Sequence, residues 1–132
     1  MKIVVDTSVV VAVAANEATK EHIAAATKGF ELIAPASIDW EVGNAFSAML
    51  KRRRITVEQA IAGLESYLQI KVEKVTIDLN ASLKLASRFN IYAYDAYVLQ
   101  CALENSLPLF TLDSNMERTA QTVGISVMRV EP

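Results

Sequence analysis

Short β-branched runs alternate with longer segments of helical periodicity from one end of this chain to the other, and that alternation leaves few folds open. The run KIVV at 2–5 has the composition of a strand buried on both faces, and VVVAVAA followed by 19–28 reads as helix. ELIA at 31–34 is the next strand, stopped by Pro35. Ile38, Val42, Ala45, Phe46, Met49 and Leu50 recur at three- and four-residue spacing, the mark of an amphipathic helix that ends in the run KRRR at 51–54. Thr56 with Gln59 forms a capping-box pattern opening a helix to about Gln69. A strand at 71–76, helices at 78–89 and 93–106, and a strand LFT at 109–111 follow. Ser114 with Glu117 predicts a second capping box, Gly124 ends that helix, and ISVMRV at 125–130 is the last strand. Strands separated by helices predict a three-layer α/β/α domain with a central parallel sheet.

No Pro-, Gly- or Ser-rich stretch, repeat or low-complexity segment divides the 132 residues, so residues 1–132 are read as one domain. A hydrophobic content of 52% with 3 Pro and 4 Gly excludes disordered, collagen-like and linker-rich classes. The single Cys, Cys101, can form neither an intramolecular disulfide nor a metal knuckle, which is the usage of a reducing compartment. The N-terminus imitates a signal peptide until Asp6, and the apolar stretch at 3–15 is too short to span a bilayer at ~20 residues per span. A soluble, cytoplasmic protein is expected, with no membrane partner. A net charge of −2 argues against a simple nucleic-acid coat.

Ligands of an open parallel sheet bind outside the carboxyl ends of its strands. Asp6 follows KIVV and Asp113 follows LFT, so both acids project at that rim. Each has a second reading as a helix N-cap, weaker for Asp113 because Ser114 fits the capping box better. Asp95 lies near the start of the nearly all-apolar helix, on the face of Leu99 and Ala102, with Gln100 and Glu104 marking the wetter side. A buried carboxylate needs a partner, and no Lys or Arg occurs between Arg88 and Arg118. Glu41 is placed opposite the Ile38/Val42/Phe46 stripe, one turn before Asn44; alone it reads as a solvated surface Glu. Four carboxylates at one rim would repel one another without cations, and an all-oxygen donor set suits Mg²⁺ or Mn²⁺ rather than Zn²⁺. His22, the single His, reads as an exposed helix residue.

VVDTSVVVAV around Asp6, the spacing E41-x-x-N44, YDAYVLQCALENSLPLFTLD carrying Asp95 and Asp113, and the closing GISVMRV together resemble a PIN-domain ribonuclease. Size and order are most similar to VapC-type toxins of toxin–antitoxin pairs. The resemblance covers nearly the whole chain and rests on four acids in order. It implies a Mg²⁺- or Mn²⁺-dependent endoribonuclease in which Asp6, Glu41, Asp95 and Asp113 hold the metal and a water attacks the RNA phosphate. It further implies that Thr7 or Ser8 supports the first acid, that Asn44 is the polar residue after the Glu, and that the partners are RNA, a cognate antitoxin and a second copy in a homodimer. Asp39 competes with Glu41, but the residue types around Glu41 fit the pattern better.

The run Lys51, Arg52, Arg53 and Arg54 is either a solvated cationic helix end that complements the macrodipole or a contact for RNA backbone or antitoxin. Trp40, Tyr92, Tyr94 and Tyr97 read as core or interface, and Met49, Met116 and Met128 as core filler. A metal-dependent α/β phosphatase and a non-catalytic RNA- or protein-binding module of the same fold are the competing readings. The phosphatase fits less well, because Ser8 stands where a second Asp would be needed, and the scattered glycines form no phosphate-binding loop.

Overall fold

The structure is a computed structural model and describes residues 1–128. β1 (Lys2–Val5) leads into α1 (Thr7–Ala14) and α2 (Lys20–Thr27); β2 (Glu31–Pro35) leads into α3 (Ile38–Lys51) and α4 (Val57–Gln69). After β3 (Val72–Val75) come α5 (Leu79–Phe89) and α6 (Ala93–Asn105), then β4 (Leu109–Phe110), α7 (Ser114–Thr122) and β5 (Val127–Met128). The strands form one sheet in the order β3-β2-β1-β4-β5, with parallel pairing throughout. The three-layer α/β/α expectation is met.

Alternation along the central strands divides the core in two. Ile3 and Val5 of β1, Ala34 of β2 and Phe110 of β4 face α1, α3 and α4, while Val4, Ile33 and Leu109 face α5, α6 and α7. Ile3, Val4 and Val5 are fully buried, each stabilising the fold by about 1.5–3 kcal/mol relative to exposure. Gly63 lets α4 approach α3: a Cβ there would lie 2.6 Å from the Phe46 ring.

Several expectations need correction. The helical stretch after β1 is two helices, with Asn16 in the left-handed region (φ 56) between them. Thr111 lies beyond the end of β4. Asp113, not Ser114, is the N-cap of α7: its carboxylate accepts from the backbone N–H of Asn115 (2.8 Å) and Met116 (3.3 Å). Gln100 is buried rather than on a wet face, and donates to Glu104 at 2.9 Å. The Thr56–Gln59 capping box is present. Residues 129–130 of the expected last strand lie outside the described residues. Among the described residues no helix is long and apolar enough to cross a membrane.

Candidate active site at the switch point of the sheet

Strand order reverses at β1, whose neighbours are β2 on one side and β4 on the other, so a crevice opens between the carboxyl ends of β1 and β4. Asp6 stands at the first of these ends. It is 5% exposed and caps α1, accepting the Val9 N–H at 3.3 Å on Oδ1. The register Val5↔Phe110 brings Thr111 beside it. Ser8 donates its hydroxyl to Asp6 Oδ1 at 2.5 Å, and Thr111 donates to Asp6 Oδ2. Each hydroxyl in turn accepts a backbone N–H of the next loop, Leu112 to Ser8 at 3.1 Å and Asp113 to Thr111 at 3.0 Å. Asp6 is thus both a helix cap and the anchor of the loop that carries Asp113.

Glu41 enters from α3. It is 8% exposed, so the solvated-surface reading is overturned: the first turn of α3 packs against the crevice instead of facing water. Its two oxygens accept from Thr7 Oγ1 at 3.2 Å and Ser37 Oγ at 2.9 Å. Thr7 and Ser8, adjacent in sequence, therefore serve different acids. Asp95 sits half-buried in the first turn of α6, and among the described residues it accepts no hydrogen bond.

Burial pushes the Asp6 carboxyl above its ordinary pKa against three hydrogen bonds that favour the charge, and Asp113 adds repulsion. Burial raises Glu41 likewise, with added repulsion from Asp6 and Asp95, and raises Asp95, with repulsion from Asp113. The four carboxyls form one repelling group. What offsets the repulsion is helix polarity: Asp6 and Asp113 cap α1 and α7, and Glu41 and Asp95 occupy first turns of α3 and α6, so each sits at a partially positive helix end.

The donor set is chemically suited to a hard divalent cation, being all carboxylate, hydroxyl and amide oxygen. Among the described residues, however, no group of three or more His, Cys, Asp or Glu side chains stands together in a way that could hold a metal ion. Mg²⁺ is commonly held by one or two carboxylates with waters and substrate phosphate, and an open rim of carboxylates fits that mode.

Asp95 and Glu41 share a cleft of about 760 Å³ with Asn44, Tyr92, Tyr94 and Tyr97. Asp39 belongs elsewhere. Tyr67 donates to it at 2.7 Å and Lys74 pairs with it at 2.8 Å; burial pushes its carboxyl up, but the bonds from Lys74 and Tyr67 and the Lys74 charge outweigh this and hold it below its ordinary value. Lys51, Arg52, Arg53 and Arg54 are exposed at the far end of α3, about 15 Å beyond Glu41 at ~1.5 Å of rise per residue. The structure does not bring them to the rim. Thr111 and Ser37 were missed in the sequence; the signal for Thr111 was that a hydroxyl residue closes the run LFT, just past the end of β4.

A family model described as PIN domain matches residues 3–121. No curated protein matches the chain. Among solved structures, PAE2754 from Pyrobaculum aerophilum is 22% identical, with a TM-score of 0.68 over 96% of this chain and 92% of that one. VapBC2 from Rickettsia felis, solved with a DNA fragment from its promoter, is 13% identical with a TM-score of 0.69, over 99% of this chain and 100% of that one. VapC20 of Mycobacterium tuberculosis, described as a sarcin–ricin loop cleaving toxin, is 15% identical with a TM-score of 0.65, over 98% of this chain and 99% of that one. At these identities the likeness speaks for the fold alone. The family match spans nearly the whole chain, and the chain belongs to the PIN-domain family.

Proposed function

We propose that this protein is a divalent-metal-dependent endoribonuclease, acting as the toxin of a toxin–antitoxin pair. The observation that carries the reading is the placement of Asp6, Glu41, Asp95 and Asp113 at the N-terminal ends of four helices, with Asp95 lining one cleft together with Glu41 and a second together with Asp113. Structural likeness to VapC20, described as cleaving the sarcin–ricin loop, supports RNA as the substrate.

Asp6, Glu41, Asp95 and Asp113 would hold Mg²⁺ or Mn²⁺, which when bound supplies polarisation of the phosphoryl group and activation of water. The chain's own residues do the positioning. Ser8 and Thr111 fix both oxygens of Asp6, and Thr7 and Ser37 fix both oxygens of Glu41, so these two carboxylates present preset lone pairs. Asp95 has no such ties: half-buried in the first turn of α6, it accepts no hydrogen bond among the described residues and lines the cleft it shares with Glu41.

An antitoxin and a second copy of the chain complete the reading. The α4 residues Val57, Ile61, Leu64 and Leu68 are exposed and follow one another at helical spacing, a face suited to a protein contact. The structural likeness to VapBC2, solved with a DNA fragment from its promoter, supports a protein partner for this chain. A cytoplasmic location accords with this role.

The test is cleavage of RNA by the purified chain with Mg²⁺ or Mn²⁺, against chelator. Cleavage that stops in chelator and in Asp6→Asn, Glu41→Gln, Asp95→Asn and Asp113→Asn is expected. Wild-type metal-dependent cleavage by both Asp6→Asn and Asp95→Asn would overturn the site. Sedimentation at micromolar concentration checks the homodimer.

A further inference from the structure

A second cleft, of about 380 Å³, lies on the other side of Asp95 and is lined by Asp113, Asn115 and Arg118. Tyr92 and Asp95 are the two residues common to both clefts. The clefts differ in chemistry. Tyr92, Tyr94 and Tyr97 line the larger, Tyr94 and Tyr97 meeting edge-to-face at 6.0 Å, whereas the smaller is lined by Arg118. Arg118 donates to Asn115 Oδ1, and among the described residues it forms no ion pair.

Tyr92 is hard to explain by folding. It is 86% exposed, so its ring buries little surface. It also occupies the N-cap of α6 without a side-chain cap bond, where Ser, Thr, Asp or Asn would stabilise the helix. The position is unfavourable on both counts, yet it sets an aromatic face on the ridge between two clefts, one turn from Asp95.

An aromatic ridge, a carboxylate rim and a guanidinium in sequence match the alternation of base and phosphate along a single RNA strand. We infer that the clefts flanking Asp95 are neighbouring nucleotide subsites for single-stranded RNA, with one base stacked on Tyr92 over the larger cleft and the adjacent phosphate held by Arg118 in the smaller. A duplex keeps its bases stacked inward and cannot offer this pairing of contacts. The inference rests on the ribonuclease reading of the rim. Tyr92 and Arg118 are positioning residues, without a part in the chemical step.

The experiment is fluorescence anisotropy with a labelled single-stranded RNA decamer, the same decamer with abasic sites, and its duplex. It is run with Mg²⁺ in the Asp6→Asn background, or Asp113→Asn should that variant not fold, so that the RNA stays intact. Tyr92→Ala should weaken binding of the decamer roughly tenfold, and binding of the abasic decamer hardly at all, with Tyr92→Trp retaining affinity. Arg118→Ala should lower the slope of log affinity against log salt by about 0.7, a change Tyr92→Ala does not produce. If the parent chain cleaves RNA but Tyr92→Ala binds the decamer as tightly as its background, or the duplex binds equally well, the subsites are wrong while the nuclease reading stands. If the parent chain neither binds nor cleaves RNA, both fall.

Discussion

Thr111 donates its hydroxyl to the buried carboxylate of Asp6 and accepts the backbone N–H of Asp113, so one side chain joins the first acid of the site to the last. Thr111→Val keeps the shape but removes both bonds, leaving a buried carboxylate oxygen and a backbone N–H without these partners. A loss of about 1–3 kcal/mol is expected in urea unfolding, together with a fall in RNA cleavage as the Asp113 loop is released. Thr111→Ser should recover most of both. A Thr111→Val protein with parental stability and activity would show that the relay does not position Asp113.

Metal binding should appear as stability. A cation that binds only the folded chain adds about 1.4 kcal/mol at roughly ten times its Kd. For a domain of this size that raises the melting midpoint by on the order of 3–6 °C. The rise should vanish in Asp6→Asn and persist in Asp39→Asn. Because no three His, Cys, Asp or Glu side chains among the described residues stand together as a metal-holding group, the effect should grow further when a non-cleavable RNA supplies phosphate oxygens. Equal midpoints in millimolar Mg²⁺ and in chelator, at matched ionic strength and with RNA present, would exclude a carboxylate metal site.

Without metal, the site makes the fold sensitive to rising pH. Asp6, Glu41 and Asp95 have raised folded pKa values, chiefly from burial, so the folded chain keeps protons that the unfolded chain has lost. Their contribution is fully present below the ordinary carboxylate range near pH ~4 and is lost as pH rises through the raised folded values. Asp39, lowered by Lys74 and Tyr67, acts in the opposite sense: its contribution is present above that range and lost as pH falls through its folded value. Chelated protein should therefore melt at progressively lower temperature as pH climbs from ~4 toward 7, and Asp6→Asn should flatten the trend. Melting curves with the same pH slope in both proteins would contradict the burial assignment.

Asp39→Asn separates support from chemistry. The substitution weakens the ties to Tyr67 and Lys74 and should cost on the order of 1 kcal/mol, while RNA cleavage stays at the parental rate. Loss of cleavage in a folded Asp39→Asn protein would point to Asp39 rather than Glu41 as the α3 acid.

Gly63→Ala tests the contact between α3 and α4. The added methyl would meet Phe46 Cζ at 2.6 Å and Cε1 at 2.7 Å, and Phe46 is buried. Overpacking of about 1–3 kcal/mol should exceed the gain in helix propensity. Gly63→Ala combined with Phe46→Leu should be more stable than Gly63→Ala alone, by thermal unfolding.

What could be read from the sequence was what is local. The strand and helix periods, the Thr56–Gln59 box and the placement of Asp6 and Asp113 at strand ends depend on residues a few positions apart. The choice between Asp113 and Ser114 as cap failed because both residue types cap well and the strand ends one residue earlier than its composition suggests. The burial of Glu41 and Gln100 was hidden, since it arises from helices and strands distant in sequence. So were the bonds from Thr7 and Ser37 to Glu41 and from Thr111 to Asp6: a hydroxyl residue carries no sign of which acid it will meet.

The Thr111–Asp6 bond spans 105 residues, and β1 cannot pair with β4 until the last fifth of the chain exists. At ~5–20 residues per second of synthesis, Asp6 leaves the peptidyl-transferase centre about 5–20 s before Thr111 is even made. A nascent or truncated chain thus carries Asp6 and Glu41 but lacks the loop that brings Asp113 to them.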